Sequence, residues 1–257
     1  MVVGSRTNGA VRGHVFTQEE GEEGTSAQIV WNSLGSFGEE IPADDTGSSS
    51  SSPVYWMRMS SDGSTVALAS FLQNSVSIYQ HKAQQNSTEW TKIGEIDRRG
   101  SGGSFGASVA VSNDNDTISI GIGDPTDGGG GYQSGSARIF EQHPESEEWN
   151  QVGEDINGMN VLDSQHSVDM TRNAARVVFS SFSNADGYAR IFDTVDESET
   201  GKVEWKQAGG DIIGPSGGGY DFGFSIAISR DDGSRIAVGG PAWGMTQLGL
   251  VRLYELI

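Results

Sequence analysis

Four tryptophans at nearly equal intervals constrain this chain more than any other feature. Trp31, Trp90, Trp149 and Trp205 lie 59, 59 and 56 residues apart. Each opens a similar phrase: Trp31-Asn-Ser-Leu-Gly35, Trp90-Thr-Lys-Ile-Gly94, Trp149-Asn-Gln-Val-Gly153 and Trp205-Lys-Gln-Ala-Gly209. Self-similarity at a fixed period marks a repeat architecture, in which one small unit cannot bury its apolar face alone and is completed by its neighbour.

The rest of the period repeats too. An alternating apolar segment follows each phrase, clearest in Phe105-Gly-Ala-Ser-Val-Ala-Val-Ser112 and Phe222-Gly-Phe-Ser-Ile-Ala-Ile-Ser229, weaker over 54–60 and 165–171. Short polar turns come next: Ser61-Asp62-Gly63-Ser64, Asn113-Asp-Asn-Asp116, Arg172-Asn173-Ala174 and Arg230-Asp-Asp-Gly-Ser234. Asp-Gly between alternating segments is a hairpin signal, because Gly accepts positive φ. Second strands are expected at 66–69, 118–121, 177–180 and 236–239. Third strands are expected at Val76-Ser-Ile-Tyr79, Ala137-Arg-Ile-Phe140, Ala189-Arg-Ile-Phe192 and Val251-Arg-Leu-Tyr254. The next Trp phrase supplies the fourth.

Period-2 alternation puts one face of each four-stranded antiparallel sheet against its neighbour, which is the construction of a propeller blade. The expected fold class is all-β: one β-propeller array of about four and a half blades and 18 strands. Its parts are a partial blade over 1–36, blades over 53–95, 104–154 and 164–210, and a last blade over 221–257 lacking its outer strand. The first blade lacks an inner strand and the last an outer one. This predicts a piece of a longer array or a distorted five-bladed ring. The 37 glycines against 6 prolines agree with many turns, and no helical periodicity runs through the chain.

These residues resemble the FG-GAP repeat of integrin α-like propellers and of FG-GAP-like arrays in microbial or algal surface proteins. The likeness rests on Phe222-Gly223, Asp232-Gly-Ser-Arg-Ile-Ala-Val-Gly-Gly-Pro241 and Gly249-Leu-Val-Arg-Leu-Tyr-Glu255, with Phe105-Gly106 and Gly123-Asp124-Pro125 as a second copy. It covers nearly the whole chain, although the copies near Val54 and Gln165 lack both signatures. The resemblance implies an extracellular or cell-surface binding module. Calcium-binding members of the family carry an Asp-x-Asp-x-Asp-Gly loop, whose spaced oxygens wrap a hard cation. The turns here are too short for that, Asn113 to Asp116 being the nearest, so no cofactor is expected and calcium only as a remote alternative.

The net charge of −19 argues against nucleic acid and anionic membrane as partners. Three loops after third strands hold much of it: 19–23 and 141–148 carry four carboxylates each, and 193–204 carries five against one lysine. They form an acidic rim that keeps the protein soluble or attracts a cation or basic partner. Without cysteine there is no disulfide or thiolate site. No apolar run is long enough to span a membrane, and the first residues lack a signal-peptide core.

The opposite face gathers Asp124-Pro-Thr-Asp-Gly-Gly-Gly-Gly-Tyr132, Pro215-Ser-Gly-Gly-Gly-Tyr-Asp221 and Pro241-Ala-Trp-Gly-Met245. Tyr132, Tyr220 and Trp243, with Asp124 and Asp127, are the candidate binding residues, since exposed aromatics among glycines can grip a peptide or sugar. The glycine run precedes no Gly-Lys-Ser/Thr, so it is no phosphate loop, and loop flexibility is its expected purpose. Asp169 stands out as a charge in an inner strand, expected to face a wet central channel or to mark a site. His14, His81, His143 and His166 show no metal or catalytic spacing, and no Gly-x-Ser-x-Gly elbow appears. The expected function is a non-catalytic binding or scaffold module for a protein or glycan ligand. The alternatives are a glycan-binding or carbohydrate-active propeller and an intracellular WD-type propeller, the latter without its Gly-His…Trp-Asp signature.

Overall fold

The computed structural model describes residues 2–7, 10–19, 30–37, 55–70, 73–81, 89–98, 104–115, 117–159, 165–182, 186–197, 202–215, 221–243 and 248–256. For residues 2–37 it gives backbone and strand pairing alone. The described residues form five antiparallel sheets and no helix. The first holds β1 (Val2–Thr7), β2 (Ala10–Glu19) and β3 (Val30–Phe37). The second holds β4 (Tyr55–Met59), β5 (Thr65–Ser70), β6 (Ser75–Gln80) and β7 (Thr91–Asp97). The third runs β8 (Ser108–Asp114), β9 (Thr117–Asp124), β10 (Ser136–Gln142), β11 (Trp149–Gln151), with β12 (Ile156–Asn157) also on β10. The fourth runs β13 (Gln165–Met170), β14 (Arg176–Ser181), β15 (Tyr188–Glu197), β16 (Lys202–Gln207), with β17 (Ile212–Ile213) also on β15. The last holds β18 (Ser225–Ile228), β19 (Arg235–Trp243) and β20 (Leu248–Glu255).

The chain is a β-propeller, as the repeat predicts. Within each sheet the strands pair in chain order, and successive sheets touch through their innermost strands, β4 on β8, β8 on β13 and β13 on β18. The strand count differs from the expected 18 only because two fourth strands are each broken in two. The breaks fall at Gly153 (φ +70°) and Gly209 (φ +74°), the last residues of their Trp phrases.

Burial follows the two-residue period. Ala67, Ala69, Val76 and Ile78 of the second sheet meet Val109, Val111, Ile120 and Ile122 of the third. Ala110, Ala137 and Ile139 on the third sheet's other face meet Val168, Met170, Val177 and Phe179 of the fourth. Val178, Ala189 and Ile191 meet Phe222, Ile226, Ile228, Ile236 and Val238. Each fully buried aliphatic side chain contributes roughly 2 kcal/mol, and half of those at any interface belong to the neighbouring sheet. One sheet alone would therefore forfeit the term that holds it together.

The tryptophans seat on glycine. A Cβ on Gly94 would lie 2.1 Å from Trp149 Nε1, and one on Gly153 would lie 2.7 Å from Trp205 Cδ1. Trp205 also donates its Nε1–H to the Val152 carbonyl at 2.8 Å. Trp149 and Trp205 thus each lie on the phrase glycine of the preceding sheet, which explains why the two residue types recur at one spacing.

The turns after the inner strands are pinned by side chains. Asp62 accepts hydrogen bonds from Ser60 Oγ (2.5 Å), Ser64 N–H (3.1 Å) and Ser64 Oγ (2.7 Å). Asp232 repeats the pattern with Ser229 and Ser234, and Asn173 repeats it with Thr171 and the Ala175 N–H. The glycine run after Asp127 differs from expectation. A Cβ on Gly129 would meet Asn157 Oδ1 at 2.4 Å, and one on Gly130 the Gly158 carbonyl at 2.6 Å. Close packing on β12, not flexibility, requires glycine there.

Candidate functional site

The five residues singled out in the sequence do not form one surface. Tyr132 stands out in solvent, 70% exposed. Trp243 lies at the end of β19 opposite Leu248, with its side chain outside the described residues, as is the whole of Tyr220. Asp124 is 0% exposed and Asp127 is buried.

Both aspartates belong to an internal charge network. Arg98, which follows β7, pairs with Asp124 and approaches Asp127 at 3.6 Å. Arg138 on β10 pairs with Asp127 and reaches Asp155 at 2.6 Å. Ser136 Oγ donates to Asp127 at 2.8 Å, while Thr126 Oγ1 and the Ser104 N–H donate to Asp124. Burial pushes the Asp127 carboxyl up, but Ser136, Arg138 and Arg98 outweigh it and hold the group below the usual carboxylate value. Burial likewise opposes charge on Arg138, and Asp155 and Asp127 together reverse that. The network ties the second sheet to the third and leaves neither carboxylate open to a ligand.

The repeat carries a signal for it. Arg138 and Arg190 hold the same place in their third strands, and Asp155 and Asp211 each lie six residues after the phrase tryptophan. Arg190 pairs with Asp211 at 3.1 Å as Arg138 does with Asp155, so the Arg–Asp pair is itself a repeated element.

Asp169 does not face a wet channel. It is buried, accepts the Ile228 N–H at 3.0 Å and lies 3.1 Å from Arg230 Nη2. Arg230 Nη1 donates to the carbonyls of Val111 and Met170, both at 3.1 Å, so one guanidinium joins three successive sheets. Burial raises the Asp169 carboxyl above its ordinary value, and Arg230 reduces that shift without cancelling it.

A cleft of about 590 Å³ opens between the second and third sheets, on the side of the turns after the inner strands. His81, just after β6, and His143, just after β10, both line it, with Asp62, Ser64, Asn113, Gln142 and Glu147. The two histidines end equivalent third strands in consecutive repeats, which is why they share a side of the molecule. His81 is fixed through its backbone N–H to the Ser64 carbonyl at 2.8 Å, and its ring lies against Trp90 at 5.3 Å between centroids. The His143 Nδ1 accepts the N–H groups of Glu145 and Ser146, both at 3.2 Å, so the proton of the neutral ring sits on Nε2. Asp62 is engaged by the serines of its turn and by Asn113 Nδ2 at 3.2 Å. Burial acts to raise its pKa, but the hydrogen bonds from Ser60 and Ser64 prevail and keep it low, so it stays anionic. Among the described residues no Lys or Arg lines the cleft. Among the described residues no three His, Asp or Glu side chains gather as metal ligands.

No protein-family model matches the chain, and no curated protein does. Solved structures do share the fold. A provisionally named 6-phosphogluconolactonase from Bacteroides fragilis matches 99% of this chain and 65% of its own length, at 11% identity and a TM-score of 0.52. Its counterpart from Bacteroides uniformis covers 98% and 65%, at 10% identity and 0.54. The Dos1 propeller covers 97% and 54%, at 14% identity and 0.48. The chain therefore spans just under two thirds of the length of the first two.

The expectations of a non-catalytic binding or scaffold module and of no enzyme do not stand. Neighbours of the same fold bear the names of lactone hydrolases, so a chain of this architecture is not set apart from catalysis. The sequence argument relied on the absence of a local catalytic motif. A cleft shared by two sheets is built from residues about one repeat apart, which no local motif records.

Proposed function

We propose that the chain hydrolyses a lactone of uncharged, sugar-like character in the cleft between its second and third sheets. The observation that carries the reading is the convergence of His81 and His143 in one cavity whose described lining includes the carboxylates of Asp62 and Glu147 and no Lys or Arg. In this mechanism His81 takes a proton from a water molecule whose oxygen attacks the lactone carbonyl carbon. The His143 Nε2–H stabilises the developing oxyanion, and the His81 imidazolium then gives its proton to the ring oxygen as the carbon–oxygen bond breaks, giving a hydroxy acid and restoring neutral His81. Asp62 and Glu147 set a negative potential that disfavours a phosphorylated substrate. The names of the two Bacteroides propellers support lactone chemistry for the fold, and the lining residues support the uncharged substrate.

The repeat itself we read as FG-GAP in kind. Phe105 and Phe222 are buried between sheets, and Gly106 and Gly223 adopt φ +90° and +94°. Their N–H groups bond the carbonyls of Gly123 and Gly239, both at 3.1 Å. The two Phe-Gly copies thus share one local structure, which supports a single ancestral unit.

The test is proton release from glucono-δ-lactone in a pH-stat, with the spontaneous rate subtracted. The purified chain is expected to accelerate it, and His81→Gln and His143→Gln are each expected to lower kcat by about 10²-fold or more, the usual worth of a positioned acid or base. A rate equal to buffer, or full activity in the double variant, would refute the reading.

A further inference from the structure

The two histidines of the cleft are held in different ways. The His143 ring is fixed by its own loop, because its Nδ1 accepts the N–H groups of Glu145 and Ser146. For His81 the bond to the Ser64 carbonyl at 2.8 Å comes from the backbone N–H, so it holds the main chain and not the ring. Rotation about χ1 and χ2 would still carry the ring nitrogens out of the cleft. Trp90 stands against that ring, with 5.3 Å between centroids and 42° between planes.

Strand pairing shows this contact to be a departure from the repeat. Trp31, Trp149 and Trp205 pair across their sheets with Gln18, Gln142 and Thr194. In the second sheet Gln80 pairs with Thr91, which puts His81 opposite Trp90. Of the four phrase tryptophans, Trp90 is therefore the one with a histidine at this cross-strand place. His81 lines the cleft, and Trp90 is not among the described lining residues. We propose that Trp90 is a positioning residue, whose indole holds the His81 imidazole with a ring nitrogen turned into the cleft. The inference rests on the lactone hydrolysis proposed above. There His81 takes a proton from the attacking water and returns it to the ring oxygen, so the nitrogen must face the same point in both steps.

NMR of the full chain reads the ring directly. The His81 ring protons are identified among the four histidines by their loss in His81→Gln. They are expected to show cross-relaxation to the Trp90 indole protons and a displacement by its ring current. Trp90→Met keeps apolar bulk, and is expected to move these signals and to lower kcat on glucono-δ-lactone about tenfold or more with KM unchanged. Trp90→Phe retains an aromatic face and is expected to recover most of that loss. Trp205→Met, the same change at another phrase tryptophan, is expected to leave the His81 signals and kcat as they are, which separates positioning from a general loss of stability. Absence of the cross-relaxation in the wild type overturns the proposal without any variant. So does an unchanged kcat in Trp90→Met, or an equal loss in the Met and Phe variants. A wild type that shows the cross-relaxation but no turnover sinks the hydrolysis and not the hold of Trp90 on His81; an active wild type without it sinks that hold alone.

Discussion

Asp127 shows what a charge inside this fold requires. Its carboxylate has lost water but gained Ser136, Arg138 and Arg98, and the balance keeps it ionised. Arg98 and Arg138 keep Asp124 and Asp155 as partners, so Asp127→Asn removes only part of their compensation and should cost about 2 kcal/mol at neutral pH, the worth of a lost charged hydrogen bond. Chemical denaturation reads this as a lower midpoint with unchanged slope. Because the folded-state pKa lies below the unfolded one, this stability is present above the ordinary carboxylate range and lost as pH falls through the folded value. The gap between wild type and Asp127→Asn should therefore shrink in acid, and a gap that widens would contradict the assignment. The sequence marked Asp124 and Asp127 as notable but misread their place, because which carboxylates turn inward depends on Arg98 from the neighbouring sheet and Arg138 from the next strand of their own. His81 and His143 were visible as equivalent positions in the repeat. That they line one cleft depends on how two sheets fan apart, which strand periodicity does not encode.

At the scale of the element, the reading of strands rests on the tryptophan phrase and the Asp-Gly turns, and both are where the sequence put them. Gly63 and Gly233 take φ +77° and +62° in their turns. What stayed hidden is why the phrase ends in glycine, since the reason lies in the next sheet's indole. Gly94→Ala forces a methyl group onto Trp149 and should cost about 2–3 kcal/mol, as overpacking does. Gly210→Ala, where nothing lies within 4 Å and φ is unstrained, should leave the thermal midpoint unchanged or slightly higher. Equal effects of the two substitutions would remove the Trp-on-Gly account of the repeat. The glycine run at 128–131 carries the same lesson. Its composition reads as a loose loop, yet the approach of Asn157 and Gly158 demands it, and that contact comes from a strand some thirty residues further on.

For the whole molecule, the fold class follows from period and alternation, whereas the function does not, because neighbours of this architecture bear enzyme names that no motif here announces. The charge of −19 acts at this scale. A phosphorylated lactone should be turned over more slowly than an uncharged one at low salt, and the difference should narrow as added salt screens the repulsion. The rate on the uncharged lactone should not respond. The most direct measurement is a crystal structure of the chain with an unreactive, uncharged lactam analogue of the lactone. The account predicts the ring between the second and third sheets, its carbonyl oxygen within hydrogen-bond reach of His143 Nε2. A ring bound elsewhere, or a His81–His143 cleft that stays empty at saturating analogue, would contradict it.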